Sequence, residues 1–398
     1  MGNIQASLIR QPPPSQHSRS LITASEEDEE PLETQITGRT YYLTRYRRRL
    51  SKSLTSLHDD MLFEVLTRVP ARDIYDAAMY VCRKWYRIIH TRRFIDAHLR
   101  HSPQGLLLRY PYTPAFFMVA RQGQLETSCL NKFKLCSSAG CNGLLLDFQY
   151  NNGLWTPYIV NPVIKQVFVL PGIKNVARSE FFGISYAATS MVYKVVAVVA
   201  GPQLKILTVG VDDSWRSVCT KHICHLARSG FGEISPRTTE GLMHWVTSVS
   251  SVVTLNVETE MVEESIGPMP RGCGVPGSCW VSTGSKMSYL MKFERFGWHV
   301  WEMEPESKEW RKLPDIVIKD QKRKFKRLGL EKGQEVRPIG WIKYKELLAF
   351  TLCDAPVTYV FVYNIVTHKA VRLDLPGSIQ LHSPIPHQNS LVWLPGSS

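Results

Sequence analysis

The sequence predicts an α+β multidomain chain, a small N-terminal helical unit followed by a large all-β domain. Three observations carry that expectation. Apolar residues recur at helical spacing from Leu57 to Leu99, after which helical period is hard to find. From Leu106 onward, short runs rich in Val, Leu, Tyr and Phe alternate with Gly, Pro and Asn turns. Within that β region one pattern returns at intervals of roughly 45 to 60 residues: strand, polar turn, strand, often closing on Leu-Pro or Met-Pro.

In the helical stretch, Leu62, Val65, Leu66 and Val69 fall at the spacing of one helix face. Asp59 and Asp60 suit the positive end of that helix, and Pro70, which lacks an N–H, stops it. A second stripe runs through Ile74, Ala77, Ala78, Val81, Cys82, Trp85, Ile88 and Ile89. It is wide for one helix, and Asp73 or the turn around Ala78–Tyr80 is where it divides. A unit this small has too little volume to bury all these side chains, and leftover apolar surface docks on something.

Leu57, Asp60, Leu62, Glu64, Val65, Leu66, Arg68, Val69 and Pro70, followed by Val81, Cys82, Lys84 and Trp85, resemble an F-box. One departure is His58, which stands where the family has proline. The resemblance implies binding to a Skp-family adaptor, and through it to a cullin scaffold and a ubiquitin ligase. On the same ground it implies adaptor contacts at Leu57, Asp60, Leu62, Val65, Leu66, Val69, Pro70, Val81, Cys82 and Trp85. Whether Trp85 faces the adaptor or the inside of the unit stays open.

In the β region the repeats are Ile159–Pro171, Thr254–Val262, Val300–Pro314 and Val362–Pro376, with Val211–Arg216 a fifth. Their period is near that of kelch-type propeller blades, and the chain length allows about six. A lone four-stranded blade cannot cover both faces, so blades pack around an axis. Closure borrows a strand from the other end of the chain, with Leu391–Leu394 the candidate. A pair of β-sandwiches is the alternative. Further motifs are Cys141-Asn142-Gly143-Leu144, Val160-Asn161-Pro162, Phe182-Gly183-Ile184, Tyr193-Lys194-Val195-Val196, Ser214-Trp215-Arg216 and Gly241-Leu242-Met243-His244-Trp245. Their order downstream of the helices is similar to the F-box-associated domain of plant F-box proteins, departing at Ala187-Ala188-Thr189. The expected boundaries are a disordered leader over 1–50, the helical unit over 51–100 and the kelch-like propeller over 105–398.

The leader combines Pro12-Pro13-Pro14 with an acidic block at 26–30 and has no period. Gly2 is a weak myristoylation candidate, because Ala6 stands where the simple pattern wants Ser or Thr. Nine cysteines without regular spacing read as reduced thiols, pointing to cytoplasm or nucleus. No transmembrane run is present; the best stretch, 191–210, is broken by Lys194 and Lys205. The formal charge of +13 invites a nucleic-acid reading through the basic clusters 39–52 and 319–327. Both clusters read instead as solvated segments, and no nucleic acid is expected.

Chemistry-bearing patterns are weak. Gly272, Gly274 and Gly277 fit a dinucleotide fingerprint in letters, but Pro276 and the surrounding Gly and Ser make a loop. Cys219, His222, Cys224 and His225 gather metal-type ligands without a second pair at zinc spacing. Trp215, Trp245, Trp280, Trp301, Trp310 and Trp341 read as blade core. The insertion 319–337 is the candidate partner-binding loop. The expectation is a substrate receptor with no catalytic residues, no metal and no cofactor, its target unknown. A propeller enzyme or ligand-binding module with a helical cap, or a nucleic-acid-associated protein, are the other classes.

Overall fold

A computed structural model of the chain describes residues 58–109, 115–121, 124–130, 139–176, 182–199, 203–220, 223, 236–247, 251–268, 278–283, 285–318, 335–354, 357–373 and 382–395. The helical unit comprises α1 (Asp59–Leu66), α2 (Ala71–Asp76), a 3-10 turn (Ala78–Tyr80), α3 (Arg83–Ile89) and α4 (Arg92–His101). Asp59 and Asp60 occupy the first turn of α1, where the helix dipole favours acid. Pro70 stands at the N-cap of α2, a position where its missing N–H costs nothing. The wide second stripe divides at the 3-10 turn, so that Ile74, Ala78, Trp85 and Ile89 all turn inward. Thr91 caps α4, its Oγ1 accepting from Phe94 N at 3.2 Å. The Lys84–Asp59 ion pair at 2.6 Å holds the start of α3 against the start of α1.

The β region starts with β1 (Gly105–Arg109), β2 (Ala115–Arg121) and β3 (Gln124–Leu130). Five sheets of consecutive strands follow. The first holds β4 (Ala139–Cys141), β5 (Leu144–Asn151), β6 (Leu154–Asn161), β7 (Gln166–Val169) and the two-residue β8 (Ile173–Lys174). The second holds β9 (Phe182–Ala187), β10 (Val192–Val199), β11 (Gln203–Thr208) and β12 (Arg216–Val218). The third holds β13 (Arg237–Thr239), β14 (Leu242–Val246), β15 (Ser251–Asn256) and β16 (Val262–Ile266). The fourth holds β17 (Cys279–Ser282), β18 (Met287–Glu294), β19 (Gly297–Met303) and β20 (Trp310–Val317). The fifth holds β21 (Glu335–Lys343), β22 (Leu347–Asp354), β23 (Val357–Asn364) and β24 (Lys369–Leu373). Finally β25 (His382–His387) pairs antiparallel with β1, completing a sixth sheet in the order β25-β1-β2-β3.

The strands β4, β9, β13, β17, β21 and β25 touch in succession and close a ring, which makes the domain a propeller. Each gap between neighbouring sheets has its own apolar core. Leu146, Phe148, Phe182 and Val195 fill the gap between the first and second sheets, and Met243, Trp245, Ile206 and Val253 fill the next. Trp280, Tyr289 and Val252 come third, then Trp298, Phe350 and Phe361. Leu106 with Val362, and Leu107 with Ile385 and Leu145, fill the two gaps beside the closing sheet. Trp245, Trp280 and Trp341 are buried, while Trp215, Trp301 and Trp310 pack at the edges of these cores. The tryptophans expected in the blades lie there.

The closing strand departs from expectation. It is His382–His387, not Leu391–Leu394. Pro384 and Pro386 weaken the strand pattern in the sequence, yet β25 pairs on one side only, and prolines are tolerated in such an edge strand. Leu391, Val392 and Leu394 are buried without joining a ladder. Side chains serve their backbone instead: Asn161 Nδ2 donates to Val392 O at 2.9 Å, and Leu394 N donates to Gln166 Oε1 at 3.1 Å. Residues 388–395 therefore form a tail laid across the first sheet. At Gly143, with φ +81°, an added Cβ would sit 2.6 Å from Gln388 O, so the tail passes where only glycine leaves room.

Candidate functional site

The helical unit sorts its side chains into two sets. Leu62 and Leu66 are 0% and 1% exposed, and Trp85 is 8% exposed, so these three form the inside of the unit. Phe94 is fully buried as well, edge-on to Phe63 at 5.5 Å. Met61, Val65, Tyr80, Val81 and Tyr86 point outward and are all more than 40% exposed. Of the adaptor contacts implied by resemblance, Val65, Val81 and Asp60 are therefore on the surface, and Val69, Pro70 and Cys82 are half-buried. Leu57 lies outside the described residues.

Met61, Tyr80 and Tyr86 are surface residues that the sequence reading passed over. Met61 was legible, because it precedes Val65 by four residues and shares its helix side. Tyr80 and Tyr86 were not, because their exposure depends on how the 3-10 turn redirects the chain.

Polar contacts stiffen this surface from beneath. His98 Nε2 donates to the Val69 carbonyl at 2.8 Å, and burial pushes the His98 pKa below its ordinary value. The side-chain hydrogen bond from Lys84 lowers the Asp59 pKa. The unit is anchored to the propeller at several points. Ile95 of α4 enters the core between the first two sheets, and Arg92 donates to the Tyr186 hydroxyl. Lys165 lies over the Tyr75 ring and 3.6 Å from Asp76. From the tail, Trp393 stacks on His90 with ring centroids 4.9 Å apart, and His90 in turn stacks on Tyr86 at 3.9 Å. The exposed apolar side chains thus stand on a platform fixed to the propeller.

The arrangement is suited to docking. No group of three or more metal-type side chains occurs among the described residues. Cys219 is exposed, and His222, Cys224 and His225 lie outside the described residues. So do Gly2, the glycine run 272–277, both basic clusters and most of the 319–337 insertion. His244, within one of the motifs read from sequence, is a core residue: its two ring nitrogens meet Thr239 Oγ1 and Thr254 Oγ1, each at 2.9 Å. Among the described residues no helix is long and apolar enough to cross a membrane.

Two family models match the chain. One describes the F-box domain and covers residues 54–96. The other describes the F-box associated beta propeller domain and covers residues 115–395. A protein of Arabidopsis thaliana named as an F-box only protein 15 is 24% identical over 266 residues, 61% of this chain and 66% of that protein. A second Arabidopsis F-box protein is 22% identical over 271 residues, covering 63% of this chain and 69% of its own length. Among solved structures, a nidogen/laminin complex aligns with TM-score 0.44 and 9% identity over 72% of this chain and 99% of that one. TolB from Acinetobacter baumannii aligns with TM-score 0.43 and 8% identity over 77% and 73%. Likenesses at that level carry no functional weight.

Proposed function

The chain belongs to the F-box-associated β-propeller family, and on that premise we propose that it is the substrate receptor of an SCF-type cullin ubiquitin ligase, working in cytoplasm or nucleus. In this reading the helical unit docks a Skp-family adaptor, which connects it to the cullin, and the propeller captures a target protein. The observation that carries it is the set of exposed apolar side chains, Met61, Val65, Tyr80, Val81 and Tyr86, on a unit that matches the F-box model. So much apolar surface on so few residues is stabilised by a partner that covers it. The receptor makes and breaks no bond. Its contribution is proximity, raising the effective concentration of target lysines near the conjugating enzyme.

The test is a pull-down with a purified Skp-family adaptor, comparing wild type with Val65→Asp and Val81→Asp. Both side chains are exposed, so circular dichroism should be unchanged while binding falls by roughly tenfold or more, since a charge would be desolvated in the contact. Leu66→Asp is the contrast. That side chain is 1% exposed, and the variant should lose the helical unit itself. A folded wild type that binds no adaptor, or aspartate variants that bind as well as wild type, would refute the proposal.

A further inference from the structure

A cavity of about 400 Å³ opens where the turns after β4, β9, β13 and β17 converge with the end of β25. Tyr186, which accepts from Arg92, and Gln104, which follows α4, place it on the helix-bearing side of the propeller. Its wall is more apolar than polar by area, with Asn142, Thr238, Thr239, Glu240, Glu258 and His387 among the polar residues that line it. No lysine or arginine lines it among the described residues, in a chain whose formal charge is +13.

The charges around this mouth do not cancel. Glu258 is committed to the fold: its carboxylate accepts from the Ser190 hydroxyl and from Thr189 N and Ser190 N, the amides at 3.0 Å each, and the hydroxyl bond first and then the amide bonds lower its pKa. Glu240 is exposed and forms no ion pair among the described residues. Of the cations on adjacent elements, Arg92 is held by Asp96 at 2.9 Å, Lys194 by Glu260 at 2.8 Å and Lys286 by Glu304 at 3.1 Å, while Arg237 of β13, its Nε buried, is not among the residues that line the cavity. His387 adds no positive charge near neutral pH, because burial pushes its pKa down to about 4. Among the described residues Thr238 Oγ1 makes only a long bond, 3.5 Å to Gly140 O, and it remains able to accept. A concave site lined by one sign of charge concentrates ions of the other sign. Cavities of this volume with a few convergent polar groups are the usual form of small-ligand sites.

We propose that this cavity binds a cationic group, an ammonium or a guanidinium, carried by a peptide side chain or by a small amine. Glu240 supplies the counter-charge, and the threonine hydroxyls and Asn142 accept the remaining hydrogens. The site is independent of the adaptor surface, so it stands or falls separately from the receptor reading.

The test titrates the full chain by calorimetry with cadaverine, agmatine, and the capped peptides Ac-Gly-Lys-Gly-NH2 and Ac-Gly-Arg-Gly-NH2, against Ac-Gly-Gln-Gly-NH2 as the neutral control. One site per chain is expected, with at least one cation bound roughly tenfold more tightly than the neutral peptide. Binding confined to the peptides identifies a side-chain site, and binding of the amines identifies a small-molecule site. Glu240→Gln, at an exposed position, should weaken binding roughly tenfold, and Gln104→Glu, at the exposed rim, should tighten it. The proposal is overturned if the neutral peptide binds as well as the cations, if no cation saturates, or if neither Glu240→Gln nor Gln104→Glu changes the affinity of folded protein.

Discussion

Five of the six sheets are made from consecutive strands, and the sixth is joined from segments far apart in the chain. In the five, the third and fourth strands form a hairpin whose turn is locally encoded. Asn161, Asn256 and Asn364 each open such a turn and accept from backbone N–H groups two or three residues on, at 2.8 to 3.2 Å. Lys165, Glu260, Lys308 and His368 then take the left-handed conformation, with φ from 54° to 58°. The closing sheet instead depends on β25 finding β1, and on the tail being gripped by Asn161 and passing over Gly143. Local turns specify the blades, while closure of the ring rests on long-range contacts that pay their loop entropy late. The seam is therefore where single substitutions should cost most.

Two glycines of the first sheet break the comparison open. Gly143 and Gly153 have nearly the same φ, +81° and +80°. At Gly153 an added Cβ meets nothing within 4 Å, so Gly153→Ala should cost only the left-handed strain, about 1 to 2 kcal/mol. At Gly143 the same atom would lie 2.6 Å from the Gln388 carbonyl, and backbone must move. Gly143→Ala should cost about 3 kcal/mol or more, strain and overpacking together. Urea unfolding measures both, and equal losses would show that the tail does not press on this turn.

Buried histidines test the two kinds of sheet by pH. His244, inside the third sheet, is pushed down to about 3 by burial, with Lys308 adding to the effect. His387, at the end of the closing strand, is pushed down to about 4 by burial. Both folded values lie below the unfolded value near 6.5, so the unfolded chain binds protons more readily. The stability each contributes is fully present above pH 6.5 and is lost as pH falls toward its folded value. Each histidine should add about 1.4 kcal/mol per pH unit to the slope within that window. Denaturation series from pH 7 to pH 4.5 should show His244→Gln and His387→Gln each removing about one proton from the linkage. If His387→Gln leaves the slope intact while His244→Gln reduces it, the seam opens before its histidine titrates.

How much was legible follows the same division. The five repeats picked out of the sequence, Ile159–Pro171, Val211–Arg216, Thr254–Val262, Val300–Pro314 and Val362–Pro376, all fall on the third-to-fourth-strand hairpin of a consecutive sheet. They were readable because turn chemistry lies within a few residues. The closing strand was misplaced because Leu391–Leu394 has the apolar letters of a strand, whereas His382–His387 carries two prolines. Only the ring geometry reveals that β25 needs no partner on its other side. The helical site was partly legible. Period identified Leu62, Val65 and Leu66 together, but exposure separates Val65 from the other two. The cavity was invisible, because Asn142 and Glu240 come from two turns and His387 from the end of β25, each more than ninety residues from the next, and they meet only when the ring closes.

The smallest of these effects sharpens the picture of what the tail does. Trp393 lies between Tyr75 of α2, with ring centroids 6.3 Å apart, and His90 after α3, at 4.9 Å. It is only half-buried, and Val392 and Leu394 on either side keep their places in the core. Trp393→Ala should therefore cost about 1 to 2 kcal/mol, the aromatic contacts and part of the buried area, without undoing the propeller. The loss should be confined to the junction with the helices. Amide hydrogen exchange should accelerate in α2 and α3, while β14 and β15, far from the tail, stay protected. Faster exchange throughout the propeller would instead mean that Trp393 secures the ring itself, and the division between locally encoded blades and a long-range seam would have to include it.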